Sequence, residues 1–209
     1  MSSTDPPKPP STTARPSSKR ISTVPTPPKP PTSIHPTAII ANHALLIGTH
    51  LITIGAHTVI HPYARIISTE GPVTIGDGCV IWEKATVGMM GGDSSSDGDE
   101  GVLETKLDDN VVIESCATVG MGAVLGDGCV VEGFGVVEGG ATLGRRCQVQ
   151  AFARVKAKEV LTEHTIVLGD GRRRVSKGCE GVERGREVAH EKMVRDFERV
   201  VPSVSVKWM

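Results

Sequence analysis

Hydrophobic residues along this chain recur at a spacing of six. Leu107, Ile113, Val119, Leu125, Val131, Val137, Leu143, Val149 and Val155 are nine consecutive hits in one register, without a slip. Four residues after each of the first eight sits a smaller side chain: Val111, Ala117, Ala123, Cys129, Gly135, Ala141, Cys147 and Ala153. The position after the aliphatic is often glycine or acidic, as in Gly120, Gly126, Gly144, Glu114, Glu132 and Glu138. Upstream the same rule holds in pieces: Ile34 and Ile40, then Ile54, Ile60 and Ile66, then Ile75, Ile81 and Val87. Ala38, Ala44, Thr58, Ala64, Cys79 and Ala85 are the small partners there. Extra residues between these pieces predict bulges or extruded loops, the longest between Val87 and Leu107.

A period of six matches neither an α-helix nor a hairpin array, whereas hexapeptide repeats mark β-helices. A sandwich of short Val-rich strands is the alternative, but it imposes no such register. The expected fold is all-β: a parallel β-helix in which each hexad forms a short strand and a corner. Three hexads make a triangular coil of eighteen residues. Coils stack at about 4.8 Å, so residues 33–169 provide six to seven coils and roughly 30 Å of prism. Large aliphatics fill the interior, small residues sit where the chain turns, and glycines are expected at corners of positive φ. Layer-on-layer contacts then supply stability additively.

The flanks read differently. Residues 1–32 hold ten Pro and twelve Ser or Thr, with Lys8, Arg15, Lys19, Arg20 and Lys29 against Asp5. Such a segment predicts a disordered basic arm with polyproline character; PPKPP (6–10) and PTPPKPP (25–31) are of the kind an SH3-like groove takes, although most Pro-rich arms are plain linkers. Residues 170–209 form a C-terminal extension that opens with Arg172, Arg173 and Arg174. Within it, 187–201 predicts an amphipathic helix with Ala189, Met193, Phe197 and Val200 on its apolar face, ended by Pro202. The helix is expected to pack on the prism flank or end, or else to be offered to another protein.

An eighteen-residue coil stacks Cys116, Phe134 and Phe152 in one column at outward or corner positions. A contiguous exposed apolar stripe marks either a partner surface or a seat for the chain's own C-terminal segment, and these three, with Met193 and Phe197, are the candidate interaction residues. Asp109, Asp127 and Arg145 form a second column and Glu114, Glu132 and Gln150 a third, both read as surface faces able to meet a basic partner weakly.

Composition narrows the chemistry. The 209 residues carry a formal net charge of -1, which disfavours a dedicated nucleic-acid binder. Aromatics are 3% and glycines number 24, as a narrow prism of small and aliphatic side chains requires. No apolar run approaches the length of a membrane span, and the N-terminus lacks the apolar core of a secretory signal. Cys79, Cys116, Cys129, Cys147 and Cys179 include no C-x-x-C pair, so reduced, mostly buried thiols in a cytosolic protein are expected. Of the seven histidines (His35, His43, His50, His57, His61, His164 and His190), five crowd the N-terminal coils, and none falls between Pro62 and Glu163. A trimeric hexapeptide enzyme, carbonic-anhydrase-like or acyltransferase, needs histidines converging across subunits. The chain therefore reads as surface and corner histidines, with no catalytic residue, cofactor or metal assigned. Residues 88–106 break the repeat as an acidic loop. Asp93, Ser95, Asp97, Gly98 and Glu104 partly mimic a calcium loop, but Glu100 occupies a normally aliphatic position.

VIHPYARIISTEGPVTIGDGCVIWEKATV (59–87), the loop after it, NVVIESCATVG (110–120), HTIVLGDGRRRV (164–175) and RDFERVVPSV (195–204) together resemble the dynactin subunit six family. The resemblance spans about 34–204 and leaves the Pro/Ser/Thr-rich arm uncovered. It implies a left-handed parallel β-helix, where the usual crossover rule would give right-handed turns. It also implies a non-catalytic subunit of the dynactin pointed-end complex, in the cytoplasm and on the cytoskeleton. Its implied partners are the related subunit five, an actin-related protein and a zinc-binding subunit, with dynein and its adaptors reached indirectly and no membrane insertion.

Overall fold

The computed structural model describes residues 29–89, 103–178 and 180–208. Three parallel sheets form the faces of a triangular, left-handed β-helix. The first face stacks Thr32–Ile34, Ile52–Ile54, Val73–Ile75, Thr105–Leu107, Val124–Leu125, Thr142–Leu143 and Val160–Leu161. The second stacks Ile39–Ile40, Val59–Ile60, Val80–Ile81, Val112–Ile113, Val130–Val131, Gln148–Val149 and Thr165–Val167, and ends on the antiparallel strand Arg173–Val175. The third has six strands, from Leu45–Gly48 to Arg154–Val155. This makes six complete turns and two strands of a seventh, within the range the repeat predicts.

The hexad register is the interior. All nine aliphatics from Leu107 to Val155 are at most 1% exposed, as are Ala117, Ala123, Cys129, Ala141, Cys147 and Ala153. Pairing keeps the interior aligned across the irregular region, where Ile34 meets Ile54, Ile54 meets Ile75 and Ile75 meets Leu107. The first two insertions lie at the corner between the third and first faces. There Gly48 (φ 140°) passes so close to Ser68 that a Cβ would sit 2.4 Å from its backbone. The third insertion, and with it Asp93, Ser95, Asp97, Gly98 and Glu100 of the calcium-like motif, falls in 90–102, outside the described residues. Glu104 is described, and its carboxylate accepts the Thr74 hydroxyl at 2.7 Å.

The corners correct one expectation. Among the described residues, left-handed φ is taken at eleven non-glycine positions as well as at glycines. His57, Gly78, Asn110, Gly128, Arg146 and His164 form one such column, and His43, Tyr63, Lys84, Cys116, Phe134 and Phe152 another. What the coil requires is a one-residue reversal, and its backbone is held from the neighbouring coil: Cys116 N–H donates to Glu83 O (3.1 Å) and Phe134 N–H to Ser115 O (3.2 Å). Those bonds offset the strain of a non-glycine residue there.

The acidic columns also have an architectural role rather than that of free faces. Asp77 accepts from Ala56 N–H (2.6 Å) and Asp109 from Asp77 N–H (2.8 Å). Glu114, Glu132 and Glu138 accept from the backbone N–H groups of Gly133, Ala151 and Ala157. Each carboxylate thus satisfies a corner amide that the β ladder leaves unpaired.

The extension closes the molecule. A helix, α1 (Glu180–Val200), begins earlier than the apolar stretch at 187–201 that marks it in the sequence. Arg146 pairs there with Glu183 and Glu187, and holds the first turns against the sixth coil. The helix then runs back along the second face. His190 Nε2 lies 2.7 Å from Gly78 O, and Glu198 lies 2.7 Å from His57 Nδ1 in the second coil. After Val200 the chain reaches the first coil, where Val204 N–H donates to Ile40 O (2.7 Å) and Ser203 bridges Ala41. Trp208, 8% exposed, joins the interior cluster, and its carbonyl accepts the Thr32 hydroxyl at 2.6 Å. The tail plugs the N-terminal end of the prism, an edge that would otherwise offer unpaired backbone to another chain.

Candidate interaction surface

The corner between the second and third faces carries the aromatic column. Left-handed backbone at Phe134 (φ 60°) and Phe152 (φ 61°) points both rings away from the prism. They are 54% and 72% exposed and stack with centroids 5.1 Å apart and planes 3° apart. Cys116, one coil earlier, is half-buried. The column extends further than the sequence reading took it: Tyr63, 54% exposed, stacks on His43 at 5.3 Å, with Lys84 between the two aromatic pairs. Rings one coil apart meet because the coil pitch nearly equals an offset stacking distance.

Met193 and Phe197 are occupied within the chain rather than offered outward. Both are half-buried and pack with Val194 and Val201 on Ile39, Val59 and Val80 of the second face. The buried stripe therefore runs through 190, 193, 194, 197 and 201. Val200, placed on it by i, i+3 spacing from Phe197, is 76% exposed, and Ala189 is exposed too. Four-residue steps from Ala189 drift off a 3.6-residue helix, and the stripe is centred one residue later.

Beneath Phe197 lies a group the sequence reading missed. His61 is buried, stacked on Trp82 at 4.9 Å and 4°, while Phe197 meets both rings edge-on at 4.7 and 5.2 Å. Among the described residues, His61 Nε2 and Trp82 Nε1 have no hydrogen-bond partner. Burial pushes the His61 pKa below the ordinary imidazole value of 6.5, against a weaker opposite pull from Glu83. This corrects the reading of all histidines as surface or corner residues. A signal existed: in the first five coils the residue before the interior aliphatic of this face (Ile39, Val59, Val80, Val112, Val130) is apolar, which marks a face covered on its outside.

The other histidines are placed one by one. His35 bonds Thr37, His50 bonds Ser68 O, and His164 lies 3.6 Å from Glu183. Among the described residues no group of three His, Cys, Asp or Glu side chains is arranged to hold a metal. The four described cysteines are free, and Cys179 lies outside the described residues. Burial raises the Cys79 thiol to about 12. Where α1 passes the later coils, a cavity of about 690 Å³ separates it from the second face, between Val112, Val130 and Ile166 on one side and Val182, Ala189 and Met193 on the other. No helix among the described residues is long and apolar enough to cross a membrane.

No family model matches this chain. Among curated proteins it is similar to Dynactin subunit 6 of Xenopus tropicalis, 34% identical over 110 residues, covering 44% of this chain and 54% of that one. It is also similar to Dynactin subunit 6 of Danio rerio, 56% identical over 36 residues, covering 17% of this chain and 18% of the relative. The matched stretches thus span about half of the first relative and less of the second. Among solved structures, a putative acetyltransferase of Bacillus cereus superposes with a TM-score of 0.68 at 16% identity, covering 81% of this chain and 91% of that one. A hexapeptide transferase family protein of Anaplasma phagocytophilum gives 0.63 at 16% identity, with 81% and 90% covered. At such identity these likenesses establish the hexapeptide-repeat fold and nothing about activity.

Proposed function

We propose that this chain is a non-catalytic structural subunit of a dynactin pointed-end complex, acting through protein–protein contacts in the cytoplasm and on the cytoskeleton. The observation that carries the proposal is the 34% identity over 110 residues to Dynactin subunit 6 of Xenopus tropicalis. The architecture suits a scaffold. One face of the prism is covered by the chain's own helix and the N-terminal end by its own tail, which leaves the Phe134–Phe152 corner and the other two faces for neighbours. Three histidines are engaged within the chain: His61 in an aromatic stack, His57 on Glu198 and His190 on Gly78.

In this reading the neighbours are the related subunit five, the actin-related protein and the zinc-binding subunit of the pointed end. Dynein and its adaptors are reached through them, in support of microtubule-based transport. The test is affinity capture of the tagged full chain from native cytosol, with stoichiometry by mass spectrometry. Recovery with a second β-helical subunit and an actin-related protein is expected. Recovery as a homotrimer that turns over acetyl-CoA, or that binds one zinc per subunit interface, would overturn the proposal in favour of a hexapeptide-repeat enzyme.

A further inference from the structure

The cavity beneath α1 has apolar side chains on both sides. Its floor is the outward row Val112, Val130 and Ile166 of the second face, and its roof is Val182, Ala189 and Met193. The fold leaves these groups uncovered: Val130 and Ile166 are half-buried, and Val182 is 56% exposed. At about 690 Å³ the space has the size of a small-molecule site. Strand pairing runs from Val112 to Val130 to Gln148 to Ile166, so the floor is a straight trough three coils, or about 14 Å, long. Gln148, within that row, donates its amide N–H to Glu132.

The same geometry limits what can enter. Arg146 pins one end of the helix through Glu183 and Glu187, and His190 Nε2, 2.7 Å from Gly78 O, pins it beyond the other end of the trough. A helix held at both places cannot stand off the sheet by the about 10–12 Å that a second helix would fill. A single alkyl chain needs no such space.

Charge fixes the rest of the occupant. Each carboxylate lining the cavity already has a partner: Glu183 and Glu187 hold Arg146, Glu191 holds Arg195, and Asp127 lies against Asn110 and Arg145. Lys177 and Arg186 line the same space, and among the described side chains neither pairs with a carboxylate. Both belong to one end of it. Arg186 is one turn along α1 from Val182, and Lys177 follows the strand that pairs with Thr165–Val167. Two unpaired cations at the end of an apolar trough complement an anion with a long apolar tail.

We propose that this cavity binds a straight-chain fatty carboxylate, with its head on Lys177 and Arg186 and its chain along Ile166, Val130 and Val112 toward Met193. An extended chain advances about 1.3 Å per carbon, so about ten to twelve carbons fill the trough. This site goes beyond the proposed function and does not depend on it.

Isothermal titration calorimetry of the full chain with decanoate, below its micelle concentration, is expected to show one saturable site. From hexanoate to decanoate Kd falls about fourfold per methylene, and chains beyond about twelve carbons gain nothing more. Lys177→Ala combined with Arg186→Ala weakens decanoate at least about tenfold and leaves decanol unchanged. Ala189→Trp fills the space from an exposed helix position, so it abolishes binding while the melt stays that of the parent. No binding by the parent, or uptake of many molecules without saturation, overturns the site. Equal affinity for decyltrimethylammonium overturns the assignment of the head group. Undiminished binding by Ala189→Trp overturns the place. A parent that ignores decanoate but loses a protein partner through Ala189→Trp would assign the cavity to that partner and overturn the proposal.

Discussion

His61 makes the seat of the helix sensitive to acid. In the fold its ring lies between Trp82 and Phe197 with Nε2 unpartnered, so protonation would place an imidazolium and a second N–H donor in an apolar sandwich. Burial is the larger influence and lowers its pKa from 6.5; Glu83 opposes it only in part. In the unfolded chain the imidazole titrates near 6.5, so as pH falls through that value the unfolded state takes up the proton first and stability drops. If the folded ring stays neutral throughout, lowering pH from 7.5 to 5.5 costs up to about 1.4 kcal/mol. For a chain of this size that corresponds to a fall of roughly 3–6 °C in melting temperature. The comparison is with His61→Phe, which keeps the stacked ring and cannot titrate. Thermal melts at pH 7.5 and 5.5 should show a larger drop in the parent than in the variant, and hydrogen exchange in 190–200 should quicken at pH 5.5 in the parent alone. Equal drops in both proteins, or a parent that gains stability in acid relative to the variant, would refute the reasoning.

Neighbouring valines test the register. Val131 is fully buried, so Val131→Asp leaves an unpaired carboxylate inside the prism at a cost of several kcal/mol and should abolish the cooperative melt, whereas Val136→Asp, on the outward side of its strand and half-buried, should retain it. Trp208→Ala removes the plug at the N-terminal end and should lower stability by about 3 kcal/mol in denaturant titrations; light scattering should then detect concentration-dependent association through the uncovered coil. Replacing Phe134 and Phe152 together by Ser should leave the melt within about 1 kcal/mol of the parent, because both rings are exposed, and should weaken recovery of partners from cytosol; full recovery would remove this corner from the interface.

The interior was legible because it obeys one rule. A hexad leaves one large and one small side chain inside, and from Leu107 to Val155 the chain states that rule without a break. The corners were less so, since left-handed backbone is assigned from sequence to glycine, whereas here Phe134, Phe152, Tyr63 and Lys84 adopt it. That conformation is fixed by hydrogen bonds from the coil next door, through Ser115 O and Gly133 O, and no local pattern announces them. Counting in eighteens still found the Cys116–Phe134–Phe152 column. It failed for His43 and Tyr63, because the irregular first coils pair residues twenty and twenty-one apart: Leu45 with Arg65, then Arg65 with Thr86.

The helix stripe shows the same division at its sharpest. That an amphipathic helix follows the repeat can be read from Met193 and Phe197 alone. Which flank receives it depends on the outward row Ile39, Val59, Val80, Val112 and Val130, some sixty to one hundred and sixty residues earlier in the chain. On the first face the equivalent row is Ser33, Thr53, Thr74, Lys106, Val124, Thr142 and Val160, in which no two apolar residues adjoin and the polar ones are well solvated. The second face alone continues its apolar character outward across five coils, so it alone gains from a helix on its surface. The residues that follow the interior aliphatics on this face agree: Ala41, His61 and Trp82 in the first three coils, where α1 packs closely, and Glu114 and Glu132 beyond, where it lifts away over the cavity. The helix is seated at its C-terminal half by aromatic and aliphatic contact and at its N-terminal half by the Arg146 ion pairs. Burial of apolar surface is not weakened by simple salts, whereas a half-exposed ion pair is screened by them. Rising ionic strength should therefore loosen Glu180–Glu187 before Met193–Phe197, an order that hydrogen exchange along α1 reads directly.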